Sequence, residues 1–252
     1  MFRFVTFILA ILLLPSSFAQ GYLPKTPMKA IRDKKYPYPF WINLPHDYEL
    51  KKDTVFPLIL YLHGRSAQGT DLHRVRAYGV PYTVDKGNVD LSKFIVVAPQ
   101  TNRGWSPALI KQMVDTLQKY YRIDSTRRYL TGMSMGGFGC WITAGRYPNL
   151  FAAIAPVCGG GDIKDIHLLK DIPTWVFHGD KDGAVSIQSS ASMVKELRKV
   201  NGNVRFTIYK NEGHSAMVRV YDDASLYEWF LRHKKQSSDY LSTSNQFYVP
   251  TF

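Results

Sequence analysis

The sequence predicts an α/β domain, a mostly parallel sheet with helices on both faces. Residues 57–62 and 94–98 are continuous apolar runs of strand length, as expected for strands covered on both sides. Segments with apolar residues at helical spacing alternate with them and with later strand-like runs, the pattern of a parallel sheet. A chain of 252 residues that is 45% hydrophobic and 21% charged excludes a disordered protein, and 18 Gly and 14 Pro scattered without a period exclude a collagen-like rod. No internal repeat or linker divides the chain, so one domain is expected. Two cysteines, Cys140 and Cys158, are too few for a disulfide framework or a structural zinc site.

In chain order, residues 1–19 have a short basic start, an apolar run at 4–14, and small residues Ser17 and Ala19 at −3 and −1 of a cut before Gln20. They are expected to be a secretory signal peptide, because an apolar core of 11 residues is short of the roughly 20 needed to cross a bilayer. The location implied is secreted or periplasmic, with no stable membrane insertion. Residues 20–37 are polar and proline-punctuated, and are read as an extended leader. The domain is expected over 38–233 and a polar tail over 234–252.

Within the domain, residues 40–44 form a strand ended by Pro45, and the apolar runs at 57–62 and 94–98 follow, stopped by His63-Gly64 and Pro99. Leu109, Met113, Leu117 and Tyr120 share one face of a helix over 107–120, with Pro107 in its first turn. Residues 128–131, 151–157 and 174–177 are strands, and 135–146 a helix. Ser186 is expected to cap a helix that runs to Val200 and stops at Asn201-Gly202. Residues 204–209 alternate like a strand nearer the edge, and 222–233 form the last helix.

In an open parallel sheet, functional residues gather beyond the carboxyl ends of the strands. There, Gly132-Met133-Ser134-Met135-Gly136 sets Gly-x-Ser-x-Gly between a strand and a helix. This spacing suits a strained turn that exposes a nucleophilic serine, with no room for side chains at the two glycines. A serine needs a base to take its proton, and the base needs a group to orient it. His214, in Glu212-Gly213-His214-Ser215 after the last strand, is the expected base and Asp182 its partner. Asp180 is the alternative carboxylate. His178, at a strand terminus, reads as a buried hydrogen-bonded histidine, and His63 as structural.

The backbone N–H groups of Met135, directly after the nucleophile, and Arg65, after the early His63-Gly64, are the expected oxyanion donors. Trp105 is read as a wall of the acyl pocket, with a partly buried packing tryptophan as the other reading. Cys140 and Cys158 are expected as two separate buried thiols, with a disulfide between them, which an oxidising compartment permits, as the alternative.

Thirty-two Lys and Arg against 20 Asp and Glu give a net charge of +12. The basic residues come in short scattered clusters without a nucleic-acid motif, so a solvated basic surface is expected and no nucleic-acid partner.

Residues 38–232 resemble the α/β-hydrolase group of secreted "predicted peptidases", similar to bacterial feruloyl and acetylxylan esterases and polyhydroxybutyrate depolymerases. The resemblance lies in PLILYLHGRSAQGTD, FIVVAPQ, RRYLTGMSMGGFGCW, RYPNLFAAIAPVCGGGD, IPTWVFHGDKDGAVSI and NEGHSA. It implies a single α/β-hydrolase domain, a triad of Ser134, Asp182 and His214, and an oxyanion hole from the Arg65 and Met135 amides. The expected reaction is carboxylic-ester hydrolysis through an acyl-enzyme without metal or cofactor, on acetyl or hydroxycinnamoyl esters of plant polysaccharide fragments. A peptidase of the same fold and a catalytically silent binding protein are the alternatives. The chain departs from the group in RSAQG after His63-Gly64, which is less rich in small and acidic residues. It also has Ser215-Ala216-Met217 where a tryptophan is usual.

Overall fold

The computed structural model describes residues 26–235, so the expected signal segment and nearly all of the tail lie outside the described residues. The strands are β1 (Lys29–Ile31), β2 (Phe40–Asn43), β3 (Phe56–Leu62), β4 (Ile95–Pro99), β5 (Ile123–Met133), β6 (Ala153–Val157), β7 (Thr174–Gly179) and β8 (Val204–Tyr209). They form one sheet in the order β1-β2-β4-β3-β5-β6-β7-β8. The β1–β2 and β2–β4 pairs are antiparallel and the other five are parallel.

The pleat of β3 shows how the sheet is covered. Leu58, Leu60 and Leu62 face one core with Ile110, Met113, Val114 and Leu117 of α2 (Pro107–Tyr120) and Cys140, Trp141 and Ala144 of α3 (Met135–Arg146). Met193, Val194 and Leu197 of α4 (Gln188–Lys199) complete that layer. Ile59 and Tyr61 point the opposite way, into a core with Val80 of α1 (Gly79–Lys86), Val220 and Tyr221 of α5 (Met217–Tyr221), and Leu226, Tyr227 and Phe230 of α6 (Ala224–Leu231). Both faces of β3 are therefore apolar, which is why its sequence does not alternate.

The signals read at helix ends have structural counterparts. Ser106 Oγ accepts the N–H of Leu109 at the start of α2, where Pro107 occupies the first turn. At the end of α4, Asn201 takes φ 57° and the Gly202 N–H bonds Leu197 O at 2.8 Å. Ser186 differs from expectation in detail: Ile187 is the N-cap of α4, and Ser186 Oγ instead accepts the Gln188 N–H at 3.3 Å.

Three differences are larger. The stretch read as an extended leader carries β1, an edge strand too exposed to show a buried face in its sequence. β5 begins five residues before the expected 128–131 strand, because its first half is only partly buried and polar. Residues 222–233 hold a shorter helix, capped by the Asp223 carboxylate on the Ser225 N–H.

Candidate active site

Ser134 sits between β5 and α3 with φ 54° and ψ −118°, a conformation that L residues avoid. The turn is held on both sides: the Ser134 N–H bonds Val157 O at 2.9 Å, and Ser134 O accepts from Phe138 N–H at 3.0 Å. The sequence can make this turn because its flanking residues lack side chains. A Cβ on Gly132 would lie 2.7 Å from Leu62 O, and one on Gly136 would lie 1.9 Å from the same oxygen. The start of α3 is thus pressed against the end of β3.

The proposed base and acid come together across two strand ends. Gly179, the last residue of β7, allows the chain after β8 to pass close by: a Cβ there would lie 2.4 Å from Glu212 O. The Lys181 N–H to Glu212 O bond of 2.9 Å ties the two loops. His214 follows, and its Nδ1 lies 2.7 Å from Asp182 Oδ2. Asp182 Oδ1 accepts the N–H groups of Ala184 and Val185, both at 2.9 Å. Burial pushes the Asp182 carboxyl up, but the Val185 N–H, His214 and the Ala184 N–H outweigh it and hold it below its ordinary value. Asp180 is exposed and lies outside this cluster; its N–H bonds Tyr209 O.

Ser134 and His214 line one cavity of about 800 Å³, together with Gly64, Arg65 and Met135. The Ser134 hydroxyl makes no hydrogen bond to His214 in this structure, so the two meet across the cavity rather than in a closed contact; such bonds often tighten only around substrate. Met135 is the first residue of α3, where backbone N–H groups have no acceptor within the helix. The Gly64–Arg65 peptide is oriented from behind. His63 Nδ1 lies 2.7 Å from Gly64 O, and the Thr101 N–H donates to His63 Nε2 at 3.1 Å, which places the ring hydrogen on Nδ1. Across a trans peptide, a carbonyl turned toward His63 turns the Arg65 N–H the opposite way.

Trp105 does not line the cavity. It is 6% exposed, donates its indole N–H to His63 O at 3.1 Å, and packs edge-on against His63 and Tyr38. The loop after β4 folds inward beneath the strand ends, so the packing reading of Trp105 is the one the structure gives. The apolar walls are instead Tyr78, Phe138, Val185, Met217 and Val218. Of these only Phe138 had a signal, four residues after Ser134 and hence one helical turn on.

Cys140 and Cys158 are both buried and free. Among the described residues, Cys158, His178 and Asp182 bring donor atoms within 4.8 Å of one another, a spacing open to a metal ion. Both Asp182 oxygens are already engaged by the donors above.

The family model described as "Putative esterase" matches residues 35–216. The bifunctional acetylxylan esterase/xylanase XynS20E of Neocallimastix patriciarum is 28% identical over 151 residues, 56% of this chain and 22% of that protein. Poly(3-hydroxyalkanoate) depolymerase C of Paucimonas lemoignei is 35% identical over 123 residues, 41% of this chain and 28% of the relative. The alignments thus span less than a third of either relative. The crystal structure of a thermostable esterase superposes with a TM-score of 0.73 at 30% identity, covering 84% of this chain and 64% of that one. Its fold is that of the expected α/β hydrolases.

Proposed function

The chain belongs to the "Putative esterase" family, and from that premise we propose that it is a serine carboxylic-ester hydrolase working through an acyl-enzyme. The observation that carries the reading is the 2.7 Å bond between His214 Nδ1 and Asp182 Oδ2, made at the rim of the cavity that Ser134 enters from its strained turn. With Nδ1 bonded to the carboxylate, the His214 Nε2 lone pair is left to take a proton. Nε2 removes the Ser134 hydroxyl proton as Oγ attacks the ester carbonyl carbon. The Arg65 and Met135 N–H groups receive the oxyanion, each donor worth about 3–4 kcal/mol in the transition state.

Collapse expels the alcohol, which takes the proton from His214. Water then attacks the acyl-enzyme with His214 again as base, and the acid leaves. The apolar cavity walls suit an acyl group of modest size. Acetyl or hydroxycinnamoyl esters on polysaccharide fragments are the proposed substrates; the acetylxylan esterase name of one relative supports the acetyl case. Separately, the basic start and the apolar run at 4–14 support a cleaved signal over 1–19 and an extracytoplasmic site of action.

Ser134→Ala is expected to lower turnover of p-nitrophenyl acetate by about 10⁶ and to abolish labelling by a fluorophosphonate. Activity near the wild-type level in that variant removes Ser134 from the mechanism. Faster cleavage of peptide amides than of aryl and acetyl esters would make the protein a peptidase.

A further inference from the structure

A second imidazole stands behind Asp182. His178, in β7, is fully buried, and its Nε2 lies 2.9 Å from Val185 O and 3.3 Å from Asp182 Oδ2. A carbonyl oxygen can only accept, so Nε2 carries a hydrogen. That hydrogen is directed at Val185, whose own N–H holds Asp182 Oδ1. The electropositive N–H edge of the ring lies beside the other carboxylate oxygen, the one that receives His214. On the far side of the ring, Nδ1 is 2.8 Å from the buried Ser190 Oγ, which is 2.7 Å from Gly159 O. The imidazole is thus pinned at both nitrogens, with the Asp182–Val185 turn on one side and α4 on the other.

The groups around this contact are few. Cys158, at the end of β6, lies within 4.8 Å of both His178 and Asp182. Burial, with the charge of Asp182 behind it, pushes the Cys158 thiol up to about 12, so it stays protonated and adds no negative charge. Tyr209, beyond Cys158, is likewise raised by burial and stays neutral. The two imidazoles, His214 at 2.7 Å and His178 itself at 3.3 Å, are the remaining titratable groups on the carboxylate.

We propose that His178 is a positioning residue for the Asp182–His214 pair: it fixes the turn that holds the carboxylate and draws charge from Oδ2. The inference rests on the serine-triad reading above. A carboxylate relieved of part of its charge holds a proton on His214 less tightly.

The test is the pH profile of kcat/KM for p-nitrophenyl acetate in the wild type, His178→Phe, His178→Gln and Ser190→Ala. In His178→Phe the acid limb is expected to move up by about half a pH unit. Its kcat should fall roughly tenfold with KM held within about twofold, since positioning and not substrate binding is lost. His178→Gln restores an N–H near the Nε2 position and should return most of both effects. Ser190→Ala, which only loosens the ring, should shift the limb the same way by less. A His178→Phe limb that coincides with the wild-type one overturns the proposal; should that variant fail to fold, an unmoved limb in Ser190→Ala overturns it. Retained activity in Ser134→Ala would overturn the triad reading itself, and this proposal with it.

Discussion

Ser134 is the residue at which local energetics and chemistry conflict. Its φ of 54° and ψ of −118° cost an L residue about 1–3 kcal/mol, and the bonds to Val157 and Phe138 keep it there. Glycine would not feel that strain, although it would free the unfolded chain by about 0.4–1 kcal/mol. Ser134→Gly should therefore be more stable than Ser134→Ala by about 1 kcal/mol in urea unfolding, with both inactive. A Ser134→Gly variant less stable than Ser134→Ala by about 0.4–1 kcal/mol would mean that the turn stores no strain. The serine was legible because the two glycines that the close approach to Leu62 O requires fall at a fixed spacing around it. His178 and Trp105 were less so: the role of His178 depends on how the following turn folds back to set Val185 O and the Asp182 carboxylate beside the ring, and that of Trp105 on the distant His63 carbonyl.

At the scale of elements, the site depends on how closely α3 approaches β3. Gly136 makes that approach, since a Cβ there would stand 1.9 Å from Leu62 O and 2.6 Å from its carbonyl carbon. Backbone atoms in a central strand cannot move aside as a flexible side chain would. Gly136→Ala should destabilise the protein by about 3 kcal/mol and, by lifting the helix, displace the proposed nucleophile Ser134 and the proposed oxyanion donor Met135 N–H. Gly104→Ala is the control: a Cβ there meets nothing within 4 Å, so its unfolding midpoint should stay near that of the wild type. A Gly136→Ala midpoint as high as the control's would show that the close approach is not what holds α3. The same packing logic decides which elements the sequence announced. β3 and β4 are buried on both faces and read as unbroken apolar runs. β1 and the first half of β5 bury too little to leave a pattern, and α1 carries Pro81 within only eight residues.

Across the whole molecule, two cores meet through the sheet, and the loops at its carboxyl edge are locked to it by His63. That ring joins the end of β3 to the loop after β4 through Gly64 O and Thr101 N–H, and can make both bonds only as a neutral imidazole. Burial lowers its pKa from the ordinary 6.5 to about 4; the Gly64 carbonyl opposes the shift and the charge of Arg74 adds to it. Between about pH 6.5 and 4 the unfolded chain therefore binds a proton at this position that the folded protein refuses. Stability from His63 is complete above that window and falls as pH drops through it, by about 3 kcal/mol in all. The Asp182 carboxyl, held low, keeps its contribution through the same window and loses it only further into acid. Urea unfolding at intervals from pH 7 to 4 should show this fall in the wild type. His63→Asn retains an N–H for Gly64 O without a titrating ring, so its profile should be flatter by about that amount. A variant profile as steep as the wild type's would mean that another group sets the acid sensitivity of the fold.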